Sequence, residues 1–156
     1  MDQTLIVLKP DTVQRGLVGP ILSRFERKGL KITGLKMLTV SRELAERMYQ
    51  VHRREEFFEP LVRFITSGPV VAAVLEGRDA INVVRAMVGP TFSSGAPAGT
   101  IRGDFGLSMR SNLVHAADSP ESLRHELALF FKPEELVDYP LSLARWVCVE
   151  AEGPQA

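Results

Sequence analysis

The stretch Ser67-Gly68-Pro69-Val70-Val71-Ala72-Ala73-Val74-Leu75 contains the clearest strand signal in the chain. Its Ser-Gly-Pro start ends a preceding helical pattern, and the apolar run that follows has the length and valine content of a strand. A helix should come next, with Asp79 as its N-cap and Gly89-Pro90 at its end. The middle of the chain is therefore predicted to alternate strand and helix.

The N-terminal part shows the same alternation. Thr4–Leu8 is a short apolar run that predicts a buried strand, and Lys9-Pro10-Asp11 ends it. A helical stripe follows, and Gly29 can close that helix. Leu30–Val40 is strand-like, and Thr33-Gly34 within it predicts a bulge or a close backbone approach. Two strands and one helix are thus expected before Ser41.

Two helices are predicted between the second strand and the central one. Ser41 is a plausible N-cap for the first, whose apolar stripe would be Leu44, Met48 and Val51. The second should start near Pro60 and turn three side chains inward: Leu61, Phe64 and Ile65.

The C-terminal half should contain a loop, a strand and a helix. Residues 89–99 are small and turn-forming, and they predict the only long loop of the chain. Leu113–His115 predicts a final short strand, and Ser119-Pro120 begins a helix that Lys132-Pro133 stops. The tail is expected to be structured as far as Glu150, with about residues 151–156 frayed.

The length and the order of elements limit the possible folds. A chain of 156 residues is close to the commonest domain size, so 1–156 is predicted to be a single domain. By pattern alone, the elements fit a parallel doubly wound sheet or a ferredoxin-like, split βαβ arrangement. Four strands favour the second.

Composition excludes several classes of protein. Lys and Arg together number 19, as do Asp and Glu, so the basic excess of a non-specific nucleic-acid binder or a polybasic membrane anchor is missing. With Cys148 as the one cysteine, an intramolecular disulfide is impossible. The apolar runs Leu5–Leu8 and Val70–Leu75 are too short for a signal peptide or a membrane span. These features predict a soluble, cytoplasmic protein without a membrane partner.

His115 is the residue with the most suggestive setting. It ends an apolar strand in Asn112-Leu113-Val114-His115-Ala116-Ala117-Asp118, shortly before a capped helix that carries Glu126. A carboxylate that accepts one ring N–H fixes the tautomer and makes the other nitrogen a better nucleophile. From the residues alone, a core histidine beside an unrelated surface glutamate is the commoner explanation.

A scattered basic and polar set accompanies this histidine. No Gly-rich phosphate loop and no zinc spacing is present in the sequence. Phosphoryl transfer needs mostly positioning and charge neutralisation, which Lys and Arg supply. The candidates for this task are Lys9, Arg85, Thr91 and Arg102. Taken singly, each is more often a solvated surface residue, and the aromatic rings of Tyr49 and Phe57 are more often core than a base platform.

Five stretches of the chain, taken in order, resemble nucleoside diphosphate kinases. They lie between Thr4 and Trp146 and read KPDTVQRG (9–16), SGPVVA (67–72), GTIRGDF (99–105), NLVH (112–115) and PEEL (133–136). The resemblance implies a ferredoxin-like, four-stranded antiparallel sheet covered by helices. It also implies a ping-pong transfer of the γ-phosphoryl group between nucleotides, with low base specificity. Mg²⁺ would bridge the nucleotide phosphates and be held mainly by them.

The resemblance also implies roles for individual residues around the transferred group. Nδ1 of His115 would be the nucleophile, and Glu126 would orient the ring from the other side. Lys9, Tyr49 and Arg102 would surround the transferring phosphoryl group.

Further residues would bind the rest of the nucleotide, again by resemblance. Arg85 and Thr91 would hold the inner phosphates, and Asn112 would contact the ribose. Phe57 would stack on the base with Leu61 behind it. Stacking on the face of a base tolerates every base, which agrees with low base specificity.

Two departures separate the chain from the usual family pattern. The family usually has His-Gly-Ser-Asp where this chain has His115-Ala116-Ala117-Asp118, so the serine hydroxyl that would link the glutamate to the phosphate is missing. Loss of one donor should cost about 1 kcal/mol, which predicts a slower but working enzyme. The second departure is Thr91-Phe92-Ser93, where Thr-Asn-Pro is common. The tail through Trp146 resembles hexamer-forming members, so a homo-oligomer is expected, with a hexamer favoured over a tetramer.

The main alternative is a catalytically weakened nucleotide-binding or interaction protein on the same fold. Ala117 is its best support. A nucleic-acid-binding regulator on a four-stranded fold is a second alternative, but the basic excess and the aromatic strand motif that it needs are missing from the sequence.

Overall fold

The computed structural model describes residues 1–148, in which four strands form one antiparallel sheet. The strands are β1 (Asp2–Leu8), β2 (Lys31–Thr39), β3 (Pro69–Gly77) and β4 (Val114–Ala116). Their order across the sheet is β2-β3-β1-β4, and every neighbouring pair is antiparallel. This arrangement confirms the ferredoxin-like alternative and excludes the parallel doubly wound sheet.

Helices cover both faces of this sheet. Within the described residues they are α1 (Pro10–Gln14), α2 (Val18–Lys28), α3 (Arg42–Met48), α4 (Phe58–Ile65), α5 (Ala80–Val88), α6 (Ile101–Phe105), α7 (Pro120–Phe130) and α8 (Ala144–Val147). Short 3₁₀ turns occupy Gln50–His52, Ser93–Gly95 and Pro133–Glu135. In the same part of the chain, no helix has the length and apolarity needed to cross a membrane.

The core consists of two apolar clusters, one on each face of the sheet. Helices α2 and α5 pack on one face against alternate residues such as Ile6 and Ala73. Helices α3, α4 and α7 pack on the other against the intervening residues, such as Leu5 and Val74. Because β1 and β3 are buried on both faces, their sequences are continuously apolar rather than alternating.

The irregularity predicted in β2 is confirmed. The pairing of β2 with β3 shifts register between Ile32 and Gly34. A Cβ atom on Gly34 would lie 2.8 Å from Leu136 and 3.0 Å from the ring of Phe131. Glycine is therefore required here because the segment after α7 packs directly on the strand backbone.

Several local predictions were wrong. Helix α3 ends at Met48, so Val51 falls in a 3₁₀ turn and is exposed rather than part of the core. Asp79 is the N-cap residue of α5, as predicted, but its φ is 51° and its carboxylate accepts from the Asn82 side chain instead of a backbone N–H. The loop at 89–99 is not the only long one, because residues 106–113 are also irregular.

The remaining differences from the sequence predictions concern two short helices, and the C-terminal segment can be compared only in part. Helices α1 and α6, of five residues each, were not predicted. The segment that contains α8 is structured, although Trp146 is exposed. The frayed tail predicted at about residues 151–156 lies outside the described residues.

Candidate active site

Strand β4 turns His115 toward the face of the sheet that α3, α4 and α7 cover. Its neighbours Val114 and Ala116 are buried in the cluster on the opposite face. Because successive side chains of a strand alternate between faces, His115 must point toward α7. The antiparallel pairing of His115 with Val7 on the buried strand β1 holds this backbone in place.

Glu126 on α7 contacts the imidazole of His115. Its Oε2 lies 2.9 Å from Nε2, and Glu126 is only 6% exposed. A carboxylate at this distance accepts the hydrogen of Nε2, so the lone pair of the ring is at Nδ1. The N-terminus of α7 is fixed by a capping box in which Ser119 and Ser122 bond each other's backbone N–H.

Tyr49 packs against the same imidazole from the protein interior. The two rings are 6.3 Å apart between centroids and perpendicular. Tyr49 is buried in the apolar cluster below the sheet, and burial, followed by the Glu126 charge, raises the pKa of its phenol. Tyr49 thus lies behind His115 and does not line the cleft that opens on the other side of the imidazole.

A cleft of about 500 Å³ opens in front of His115. Eight of the ten site residues predicted from the sequence line it: Lys9, Phe57, Leu61, Arg85, Thr91, Arg102, Asn112 and His115. Glu126 and Tyr49 support the histidine from behind. The fold therefore assembles around one cavity residues that are spread over more than a hundred positions of the sequence.

Lys9, Asn112 and Thr91 form a chain of hydrogen bonds along the cleft. Lys9 Nζ donates to Asn112 Oδ1 at 2.7 Å, and Asn112 Nδ2 donates to the Thr91 carbonyl at 3.2 Å. Burial, together with the nearby Arg102 cation, lowers the pKa of the Lys9 ammonium to about 8, and the Asp11 carboxylate partly opposes this. Lys9 is therefore still mostly protonated at neutral pH.

Arg102 lines the cleft and also donates hydrogen bonds to backbone carbonyls. Its Nε, Nη1 and Nη2 donate to the carbonyl oxygens of Asn112, Gly89 and Val114, at 3.1, 2.9 and 2.6 Å. Burial and the neighbouring Arg85 cation lower the pKa of its guanidinium to about 10. Three of its five N–H groups thus tie helix α6 to the strand that carries His115 and to the end of α5.

Phe57 and the charged groups Arg85 and Asp118 occupy other parts of the cleft wall. Phe57 is 44% exposed and its ring lies 5.1 Å from that of His52. The Asp118 carboxylate accepts from Ser122 Oγ at 2.8 Å, and this bond, aided by Ser119 and Arg85, lowers its pKa. An exposed aromatic face and a cationic region are therefore present in the same cavity.

Sequence reasoning missed several residues of the cleft and its support. Met109 and Arg110 line the cavity. They lie in the irregular stretch 106–113, which has no helical or strand periodicity from which the orientation of its side chains could be predicted. Asp118 and Asp11 stood inside quoted motifs without an assigned role. Asp11 Oδ2 accepts the backbone N–H of Leu113 at 3.1 Å. The signal that could have found Asp11 is its position directly after the first strand, beside Lys9.

Ala117 occupies the place where the family usually has serine. It is fully buried, and its backbone N–H donates to the Leu5 carbonyl at 3.1 Å. Its methyl group offers no donor toward Glu126 or the cleft.

A second cleft of about 440 Å³ lies beneath the C-terminal segment. Its walls come from the end of α2, the start of β2 and residues 139–148. It contains none of the predicted site residues, and one of its three cations, Lys31, is paired with Glu76 at 2.7 Å.

Comparison with known proteins shows the family of the chain. The profile of the nucleoside diphosphate kinase family matches residues 2–136, which is most of the chain. This chain belongs to the nucleoside diphosphate kinase family. A nucleoside diphosphate kinase of Kosmotoga olearia is 52% identical over 143 residues, covering 92% of this chain and 97% of the relative. One from Staphylothermus marinus is 56% identical over 138 residues, covering 88% and 98%.

Solved structures of family members share the fold. A halophilic nucleoside diphosphate kinase from Halobacterium salinarum, in complex with CDP, has a TM-score of 0.92 and 46% identity. The alignment covers 94% of this chain and 98% of that one. A family protein from Babesia bovis gives a TM-score of 0.91 at 44% identity, over 95% of this chain and 100% of the other. The resemblance stated from sequence motifs is thereby confirmed.

Proposed function

We propose that this protein transfers the γ-phosphoryl group of a nucleoside triphosphate to a nucleoside diphosphate through a phosphohistidine on His115. The observation that carries the proposal is the His115–Glu126 contact of 2.9 Å at the floor of a cationic cleft. Glu126 occupies Nε2, so Nδ1 is the nitrogen with a lone pair to offer. Membership of the nucleoside diphosphate kinase family supports the nucleotide substrates.

The transfer consists of two displacements at phosphorus. In the first, Nδ1 attacks the γ-phosphorus, and the bond to the β–γ bridging oxygen breaks, so its electron pair leaves with the diphosphate. In the second, a terminal oxygen of another diphosphate attacks the same phosphorus, and the Nδ1–P bond breaks and returns its electron pair to His115. Glu126 stabilises the positive charge that the ring gains while its Nδ1 is bonded to phosphorus.

The cations of the cleft would neutralise the phosphate charge during both steps. Lys9, Arg85, Arg102 and Arg110 line the cavity. Phosphoryl transfer depends mainly on such positioning and charge stabilisation. Lys9 and Arg102 are held by the bonds described above, so little reorganisation is needed when a nucleotide binds. Tyr49 would act from behind the imidazole, by packing on it.

The remaining cleft residues would bind the nucleoside and inner phosphates. The exposed ring of Phe57 offers a stacking face, with Leu61 in the same wall. Thr91 and Asn112 are joined by a hydrogen bond at 3.2 Å, and we assign them to an inner phosphate and the ribose respectively. This assignment predicts low base specificity, because stacking does not read the edges of a base.

Mg²⁺ belongs to the proposal as an ion bound through the nucleotide. Among residues 1–148, no group of three His, Cys, Asp or Glu side chains could hold a metal ion by itself. The donor set of the cleft is mostly cationic and so fits phosphates, whose oxygens would provide most of the ligands. When bound, the ion would neutralise phosphate charge as the phosphoryl group moves.

A second function rests on Ala117. Because a buried methyl group replaces the hydroxyl that the family usually has, a catalytically weakened nucleotide-binding or interaction protein is the alternative. Both functions predict nucleotide binding in the same cleft, and only the first predicts transfer.

Initial-rate kinetics test the proposal. With ATP as donor, GDP as acceptor and Mg²⁺ present, double-reciprocal plots at several fixed GDP concentrations should be parallel, as for a ping-pong reaction. His115→Asn should abolish GTP formation, and His125→Asn, a histidine on α7 bonded to the Arg47 carbonyl, should not. Intersecting lines, or an active His115→Asn variant, would contradict the phosphohistidine, and tight binding without GTP formation would favour the alternative.

We also propose that the protein is a homo-oligomer, with a hexamer favoured over a tetramer, and that it is cytoplasmic. Exposed apolar side chains support the association, namely Leu35 and Met37 on edge strand β2 and Leu143 and Trp146 near the C-terminal end. Native mass spectrometry distinguishes six copies from four, and a monomer at micromolar concentration would contradict the proposal.

A further inference from the structure

The three residues before His115 form a strained turn. Val114 N donates to the Asn112 carbonyl at 2.9 Å, and Leu113 between them has φ of 75°. A three-residue turn with this φ is rare and strained, and a buried leucine has no intrinsic preference for it. Leu113 is nevertheless fully buried. We call residues 112–114 the Leu113 turn.

The start of helix α1 satisfies both backbone polar groups of Leu113. Asp11 Oδ2 accepts the Leu113 N–H at 3.1 Å. The Leu113 carbonyl accepts from Lys9 N at 2.8 Å and from Thr12 Oγ1 at 2.7 Å. Thr12 is fully buried, so water cannot replace its hydroxyl. A strained conformation persists only where surrounding contacts over-determine it, and these three bonds do so here.

The Leu113 turn sets the relative direction of two cleft residues. Asn112 is its first residue and accepts from Lys9 Nζ, and His115 follows the turn and contacts Glu126. If Leu113 relaxed to negative φ, the chain direction would change between these two side chains, and at least one would leave its partner. The turn thus connects the Asn112 part of the cleft to the nucleophile.

We infer that Asp11 and Thr12 are positioning residues, which hold the Leu113 turn so that Asn112 and His115 face one nucleotide. This inference rests on the proposed function, because it assigns the two residues a part in the same transfer. Neither side chain lines the cleft, so both act through the backbone of Leu113.

Asp11 differs from Thr12 in also carrying charge. Its carboxylate raises the pKa of Lys9, against the effects of burial and of Arg102 on α6. Its second oxygen, Oδ1, is buried without a hydrogen-bond partner within residues 1–148. Positional and electrostatic effects can therefore be separated by comparing substitutions at Asp11 and Thr12.

The test measures single-turnover phosphorylation by ATP in Thr12→Val, Thr12→Ser, Asp11→Ala and Asp11→Asn. Thr12→Val removes one buried hydrogen bond at constant shape and should slow phosphorylation about 5- to 10-fold. Thr12→Ser keeps the hydroxyl and should restore most of the rate. The matched control is Thr33→Val on strand β2, at the opposite edge of the sheet, where a buried hydroxyl also meets a carbonyl, that of Val74 at 3.5 Å. That control should keep the wild-type rate.

The pH profile separates the two residues. Asp11→Asn keeps an oxygen for the Leu113 N–H but removes the charge, so Lys9 should lose its proton at lower pH. The alkaline limb of kcat/KM should therefore move to lower pH in both Asp11 variants. In Thr12→Val the rate should fall without such movement. Asp11→Ala should show the slower rate and the shifted limb together.

Hydrogen exchange tests the Leu113 turn independently of enzyme activity. Hydrogen exchange of the peptide segment 111–115 should accelerate about 10-fold in Thr12→Val and Asp11→Ala if a bond to the Leu113 turn is lost, and stay unchanged in Thr33→Val. A wild-type protein that forms no phosphohistidine would contradict the proposed function, while exchange would still decide whether the turn is held. Unchanged exchange, or equal rates in Thr12→Val and wild type, would overturn the positioning role.

Discussion

Replacing Glu126 with Gln should slow the phosphorylation of His115 by about 5- to 12-fold. Gln can still accept the Nε2 hydrogen, so the substitution removes charge and little else. A hydrogen bond to a charged group contributes about 1.5–3 kcal/mol and a neutral one about 0.5–1.5 kcal/mol. The difference of about 1–1.5 kcal/mol gives the expected factor. Since Glu126 is only 6% exposed, solvent screens this contact little.

Glu126→Ala removes the whole contact and should therefore be slower than Glu126→Gln. Loss of about 1.5–3 kcal/mol corresponds to a decrease of roughly 12- to 160-fold. The assay is rapid-quench measurement of phosphoenzyme formation from ATP and Mg²⁺ at a single turnover. Glu121→Gln is the matched control, because Glu121 is an exposed carboxylate in the first turn of the same helix. It should change the rate less than about 2-fold.

The order of the three phosphorylation rates tests the role of the Glu126 carboxylate. Wild type should be fastest, Glu126→Gln intermediate and Glu126→Ala slowest. Equal rates for wild type and Glu126→Gln would show that the charge of the carboxylate contributes nothing to transfer. A Glu126→Ala variant as fast as Glu126→Gln would show that the 2.9 Å contact does not orient the ring.

Three further results are expected at the same site. Ala117→Ser should raise turnover by about 5-fold, because a hydroxyl contributes about 1 kcal/mol, and unchanged or lower turnover would refute this. Phe57→Ala should weaken purine and pyrimidine diphosphates alike by ~1–3 kcal/mol in calorimetry, whereas a loss confined to one base would indicate edge recognition. The value of kcat/KM should fall above about pH 8 as Lys9 loses its proton, and Lys9→Arg should remove that alkaline limb, whereas a limb that persists in Lys9→Arg would show that another group titrates.

The main elements could be predicted because their sequences carry local signals. The apolar runs of β1 and β3 mark strands, and Ser41 caps α3 by accepting from the Leu44 N–H at 3.1 Å. The glycine at position 34 marked the bulge because the neighbouring segment leaves no room for a side chain. The order of strands in the sheet is set by long-range pairing, so the pattern alone left two folds open.

The missed elements depend on distant contacts. Helix α1 is five residues long, too short to form without its bonds to Leu113, which is 101 positions from Thr12 in the sequence. Helix α6 likewise depends on Arg102, which ties it to three carbonyls outside the helix. Val51 followed the helical period of α3, but the helix ended three residues earlier, at Met48.

For the candidate site, the sequence indicated which residues gather around one cleft but not the geometry of their contacts. Motif resemblance named ten residues, and eight of them line the cleft. The positive φ of Leu113 could not be predicted, because leucine has no preference for that conformation. The three hydrogen bonds that Arg102 donates to backbone carbonyls could not be predicted from the sequence either. Such features arise from segments far apart in sequence, so they appear only when the fold brings those segments together.

The most direct test of the central claim is the intact mass of the purified protein after incubation with ATP and Mg²⁺, and again after GDP is added. The account predicts a gain of one phosphoryl group that GDP removes with formation of GTP, and no gain in His115→Asn. Absence of any phosphoenzyme at long times, or a phosphoryl group that persists in His115→Asn, would contradict it.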